Sequence, residues 1–132
     1  MARPAVVLLA CAVLAVTGCG GNDEDDIRQT MREFVTALNK RDADKFCDDL
    51  VTKEFVEKQT FAKGDKAIAD CKRQLRQIKG LRVRITRITK LRVNGDRATV
   101  ATVLETSGQE APQLYRLRKE DGGWRISAGS GG

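Results

Sequence analysis

Any chemistry in this chain has to be done without histidine, because none occurs in its 132 residues. That excludes imidazole acid–base work, histidine-activated serine or cysteine nucleophiles, and every metal site with an imidazole ligand. Four cysteines remain, at 11, 19, 47 and 71, together with one tyrosine, Tyr115, and one tryptophan, Trp124. A pocket enzyme built on Tyr115 needs a carboxylic acid beside it. The candidate acids Asp42, Asp48 and Asp49 fall in helical, exposed contexts, Asp96 falls in a turn, and Glu105 lies outside the inward strand phase. The expectation is no catalytic residue, no metal and no cofactor, with Tyr115 and Trp124 packed inside the fold as the candidate pocket residues.

The other chemical resource is positive charge, 24 Lys and Arg against 18 Asp and Glu. Residues 72–97 alone hold ten basic residues and a single acid, Asp96. By strand alternation Arg82, Arg84, Lys90, Arg92, Arg97, Arg116, Arg118 and Arg125 share the phase pointing away from the core. With Asn94-Gly95 as a two-residue turn, Arg92 faces Arg97 across the hairpin. Like charges opposite one another cost stability. Such a face is either a solvated sheet surface or a platform for an anionic partner: phospholipid headgroups, an acidic envelope polymer or a protein. Nucleic acid is not expected, since no aromatic residues are interleaved for base stacking. Self-repulsion of the face favours a monomer.

These residues must be positioned by helices first and strands second. Ile27, Met31, Phe34, Val35 and Leu38 have the spacing of an amphipathic helix over 24–40. A second helix starts near Asp42 and buries Ala43, Phe46, Cys47 and Leu50. The stretch 51–63 is less regular, anchored by Phe55, Val56 and Phe61, and Gly64-Asp65 caps a third helix over 66–79. From Leu81 the period changes to two. Its phase slips around residues 87–89, the sign of a bulge, and Asn94-Gly95 marks a hairpin. A return strand follows through Leu104, then a loop over 107–112, a strand over 113–119, a turn at Asp121-Gly122-Gly123 and a last strand over 124–127. Helices followed by an antiparallel sheet make an α+β layout.

The front of the chain reads as an address. Arg3 precedes twelve apolar residues at 5–16, too few to span a bilayer and the right size for a signal core. Next, Val16-Thr17-Gly18-Cys19 resembles the lipobox of bacterial lipoproteins. The resemblance implies a signal peptide over 1–18, cleavage before Cys19 and lipidation of its thiol. The expected location is then the extracytoplasmic face of the cell membrane, with residues 19–26 as an acidic tether. Cys11 leaves with the signal. Cys47 and Cys71 are left as an even pair in a disulfide-permissive compartment, on the buried faces of neighbouring helices, and a structural bridge is expected.

The order of elements resembles the nuclear-transport-factor-2-like superfamily, and most closely its small actinobacterial lipoproteins. The resemblance rests on Phe34-Val35 with Ala37-Leu38 and Arg41-Asp42, and on the Cys47 and Cys71 pair. It rests also on Val93-Asn94-Gly95-Asp96 with Ala98 and Val100, and on Gly122-Gly123-Trp124-Arg125-Ile126. It implies helices packed on a curved antiparallel sheet, a cone over residues 27–128 with a pocket inside, followed by a disordered tail at 129–132. The superfamily includes ketosteroid isomerases and polyketide cyclases, and the catalytic pattern of those branches is not matched here. The expected function is therefore a non-enzymatic binding or interaction domain of the cell envelope. The alternatives are a pocket enzyme of the cyclase or isomerase type and an accessory subunit of an envelope transport or secretion assembly.

Overall fold

The computed structural model describes residues 21 to 131. The signal segment, Cys19 and Gly132 lie outside the described residues. Helix α1 (Gly21–Lys40) buries Ile27, Met31, Phe34 and Ala37 as one stripe. From Gly21 onward, the segment expected as a tether is already the opening of this helix. The cause lies across the molecule in Trp124, whose ring is buried and whose indole N–H donates to Asp23 Oδ1 at 3.4 Å. Lys119 Nζ reaches the same oxygen at 3.1 Å. Acids in the first turn also meet the positive end of the helix dipole.

The far end of α1 is fixed by side chains. Arg41, at φ 57°, stops the helix, and its guanidinium donates to the carbonyls of Leu38, Ile78 and Leu81. Asn39 brackets Val83, donating to its carbonyl and accepting from its N–H, each at 2.8 Å. The expected second helix is a short π-helical segment, Lys45–Leu50, whose wider turn keeps Phe46, Cys47 and Leu50 all buried. Cys47 bonds to Cys71 on α3 (Gly64–Gln77), closing a sequence separation of 24.

Between them, α2 (Lys53–Thr60) starts at Thr52, whose hydroxyl accepts from the Phe55 N–H and whose own N–H donates to the Ile126 carbonyl. Thr52→Ala removes the cap from a residue that is 1 % exposed and is expected to cost about 1–2 kcal/mol, read from a urea unfolding curve. Phe61, expected as an anchor, ends α2 in the left-handed region and is 96 % exposed. Its αL backbone turns the ring out of the helix's buried stripe.

Four antiparallel strands follow in the order of the sequence: β1 (Val83–Asn94), β2 (Arg97–Thr106), β3 (Gln109–Glu120) and β4 (Gly123–Gly131). The segment expected as a frayed tail is thus the end of β4, with Gly131 opposite Gln113. Three irregularities bend the sheet. Register shifts leave Thr86, Thr89 and Ser127 without a cross-strand partner. Each hydroxyl donates instead to a carbonyl of the neighbouring strand, those of Val103, Ala101 and Arg116, at 3.1 to 3.2 Å. An extra residue bends its strand and raises the local twist, and the hydroxyl supplies the bond the ladder loses. The first two shifts fall where the hydrophobic phase slips in the sequence.

The core fills the space between α1, the π-helical segment and the inward side of the sheet, where Val100, Leu117 and Ile126 are 0 to 1 % exposed. Phe34 sits at its centre, with ring centroids 5.4 Å from Phe46 and 5.5 Å from Tyr115.

Candidate anion-binding face

On the outward side of the sheet, side chains from the four strands line up in cross-strand rows. The first row runs Asn94, Arg97, Arg118, Arg125, and the next runs Arg92, Thr99, Arg116, Ala128. Further along come Lys90, Ala101 and Leu114, then Arg87, Val103 and Pro112, and finally Arg84, Glu105 and Glu110. The face is therefore graded. Five of these eight cations stand in the two rows beside the β1–β2 turn, the middle is apolar on β2 and β3 with Lys90 and Arg87 on β1, and the far end is mixed in sign.

The turn itself differs by one residue from expectation. Gly95 and Asp96 are the two turn residues and Asn94 pairs with Arg97, so Arg92 faces Thr99 rather than Arg97. Gly95 takes φ 61°, which it can adopt without a steric penalty. The shift removes that like-charge confrontation; others arise from the next two strand pairings, where Arg97 faces Arg118 and Arg118 faces Arg125. Two of these three are offset from the helical side of β4. Arg118 Nη1 lies 3.5 Å from Glu54 of α2 and 3.8 Å from Glu120, and Arg125 Nη1 donates to the Asp48 carbonyl at 2.6 Å.

Arg92, Arg97 and Arg116 have no carboxylate partner among the described residues. Together with Arg118 they surround the short side chain of Thr99, and the difference in length opens a groove of about 380 Å³. Each guanidinium offers a planar fork of donors that matches a phosphate or carboxylate. Four of them around one hollow can bind an anion from several sides.

The remaining basic residues of the expected face serve other ends. Arg84 is held by Glu105, Lys90 lies outside the groove on edge strand β1, and Arg82 precedes the sheet. Arg87 is a further outward cation that strand alternation alone misses. It becomes visible once the phase is carried through the bulge at Thr86.

Inside the fold, Tyr115 is 7 % exposed, packed edge-on against Phe34 and lying over Gly129, where a Cβ would come within 3.2 Å of its ring. Burial pushes its phenol above the ordinary value, which favours the neutral form. Trp124 borders a shallow surface hollow with Asp26, Glu33, Lys45 and Asp49. Of the acids weighed as catalytic partners, Asp42, Asp48 and Glu105 are engaged elsewhere. Asp42 accepts from the Lys45 N–H, and Asp48 pairs with Lys72, whose ammonium is held above its ordinary pKa by hydrogen bonds to Asp48 and Asp44. Among the described residues no group of three acids or cysteines converges as a metal site. No described helix is long and apolar enough to cross a membrane.

A scan against protein families and a search of curated proteins return no match. Solved structures do match. A domain of unknown function with a cystatin-like fold from Nostoc punctiforme is similar at TM-score 0.57 and 25 % identity, over 81 % of this chain and 74 % of that one. A protein of unknown function from Mycobacterium tuberculosis aligns at TM-score 0.55 and 19 % identity, over 85 % of this chain and 75 % of the other. A chain described as Rd1NTF2_05 with five substitutions aligns at TM-score 0.56 and 16 % identity, covering 83 % of this chain and 99 % of its own length. Helices followed by a curved four-stranded antiparallel sheet are the nuclear-transport-factor-2-like fold, and that is the fold of this protein.

Proposed function

We propose that this protein is a lipid-anchored, extracytoplasmic protein of the cell envelope that acts by binding rather than by catalysis. Its nuclear-transport-factor-2-like domain holds an anionic partner on the outward side of its sheet. The observation that carries the binding reading is the groove around Thr99, where Arg92, Arg97 and Arg116 converge without a carboxylate among the described residues to neutralise them. Anchoring rests on Val16-Thr17-Gly18-Cys19 directly behind an apolar signal core. Two or more acyl chains on Cys19 make a stable anchor, since each buried CH₂ contributes about 0.8 kcal/mol.

Both halves can be tested on the full chain. Grown with an alkyne-bearing fatty acid, cells should incorporate the label into the wild-type protein and not into Cys19→Ser. Persistent labelling of that variant refutes the anchor. In mild non-ionic detergent the wild type should be retained on heparin and elute with salt, and the Arg92→Gln/Arg97→Gln/Arg116→Gln variant should elute at clearly lower salt. Equal elution of the two refutes the groove as the binding surface.

A further inference from the structure

The groove and the start of α1 lie at the same end of the molecule. Asp23, two residues into α1, meets Lys119 and Trp124 at the β3–β4 turn. That turn is tied in its own right to the β1–β2 turn, since the Lys119 N–H donates to the Asp96 carbonyl at 2.7 Å. Arg97 and Arg118 stand in the row directly beside these turns, and Arg92 and Arg116 in the next. The opposite end carries the β2–β3 turn, together with Glu105 and Glu110 on the outward face.

Covalent geometry then limits where a bilayer can be. Cys19 precedes Gly21 by two residues, and a fully extended chain spans at most about 3.6 Å per residue, so the two α-carbons lie within about 7 Å. A membrane holding Cys19 is next to the end with the two turns and remote from the end with Glu105 and Glu110. The acids that open α1 sit on the inward side of the sheet, and Asp23 among them is paired with Lys119. The turns themselves carry Asp96 and Asp121, and Glu120 beside them lies against Arg118, so the positive part of this end is where Arg92, Arg97 and Arg116 stand without a carboxylate partner among the described residues.

We infer that the groove formed by Arg92, Arg97, Arg116 and Arg118 takes the phosphodiester headgroup of an anionic phospholipid in the bilayer that holds Cys19. The domain then lies with its Gly95-Asp96 and Asp121-Gly122 turns on the membrane. This rests on the lipid-anchored reading above. A hollow of about 380 Å³ is of the size of a small-molecule site and holds a phosphoglycerol group. Arg92, Arg97 and Arg116, which have no carboxylate partner among the described residues, supply the charge a monoanionic diester calls for, and Ala101, Leu114, Val103 and Pro112 further along the face stay clear of the surface. Lipid binding through the groove fixes orientation, which an acyl anchor alone leaves free.

The test uses the lipidated full chain reconstituted in vesicles of phosphatidylcholine, with or without 30 mol% phosphatidylglycerol. Phenylglyoxal labelling read by mass spectrometry reports each arginine. With the anionic lipid, Arg92, Arg97 and Arg116 should react about fivefold more slowly, while Arg82, just ahead of β1 at the opposite end, is unchanged. In the Arg92→Gln/Arg97→Gln/Arg116→Gln variant the protection of Arg118 should be lost. Glycerophosphate added to the neutral vesicles at the same total concentration should protect weakly; protection equal to that by the lipid overturns the membrane source and leaves a soluble-anion site. Equal reactivity in both vesicle types, with heparin retention intact, overturns the inference while the binding reading stands. Failure of the chain to float with either vesicle overturns the anchor instead.

Discussion

Removing the Cys47–Cys71 bridge, by replacing both residues with Ala, is expected to lower the unfolding free energy by about 3.5 kcal/mol. The estimate follows from the loop closed by a sequence separation of 24, whose entropy returns to the unfolded chain once the link is cut. For a domain of this size, whose total stability is about 5–15 kcal/mol, that is a large share. Cys47 is 2 % exposed and packs in the core, so Ala is the better replacement; Ser would bury a hydroxyl. Urea unfolding with a free-energy readout checks it. Reductant should bring the wild type close to the variant and leave the variant unmoved. Coincident unfolding midpoints for the two oxidised proteins would show that the bridge does not stabilise the fold.

The second large effect is expected at Phe34. Its ring lies between Phe46 of the π-helical segment and Tyr115 of β3, so it joins all three layers of contact at one point. Phe34→Ala removes a ring that is 6 % exposed and leaves a cavity that backbone elements on either side cannot collapse to fill. The expected cost is about 3–5 kcal/mol. Phe34→Leu, which keeps most of the volume, should cost much less. Calorimetric melting of the two variants separates these outcomes, and equal losses would mean that ring contacts rather than volume matter there. Because Phe46 precedes Cys47 directly, the Phe34→Ala and double-cysteine changes share a neighbour and are not expected to add.

Much of this architecture was legible in the chain because its signals are local. Period and its change from 3.6 to two give helices, strands and the bulge near Thr86 and Thr89, and an even pair of cysteines on two buried faces gives the bridge. The largest misplacement comes from a partner distant in sequence. Residues 19–26 read as a tether whose acids also suit the dipole of the next helix, and the partner that holds the described part of it in α1 is remote, since the Trp124 indole donates to Asp23. Asn94-Gly95 is a strong hairpin signal, but the ladder places the turn one residue later, and that single step moves Arg97 from opposite Arg92 to opposite Asn94. Phe61 reads as an anchor by type, and only its αL backbone turns it outward. The eight basic residues of the expected face all lie outside the core, Arg82 ahead of the sheet and the other seven on it. How many were already engaged, as Arg84, Arg118 and Arg125 are, depends on Glu105, Glu54 and the Asp48 carbonyl, which no strand alternation reveals.

A four-stranded open sheet has two margins where a fifth strand could be added, from another copy of the chain or from an unfolding neighbour. Here neither is available as a flat template. Along β4, Val51 forms a parallel bridge with Ile126, and the Thr52 N–H occupies the Ile126 carbonyl. Along β1, the departures from regular register at Thr86 and Thr89 break the spacing an incoming strand would have to match, and Arg87, Lys90 and Arg92 add like charges that a second copy would meet in kind. The hydroxyl-filled bulges that curve the sheet over its core thus also deny it growth.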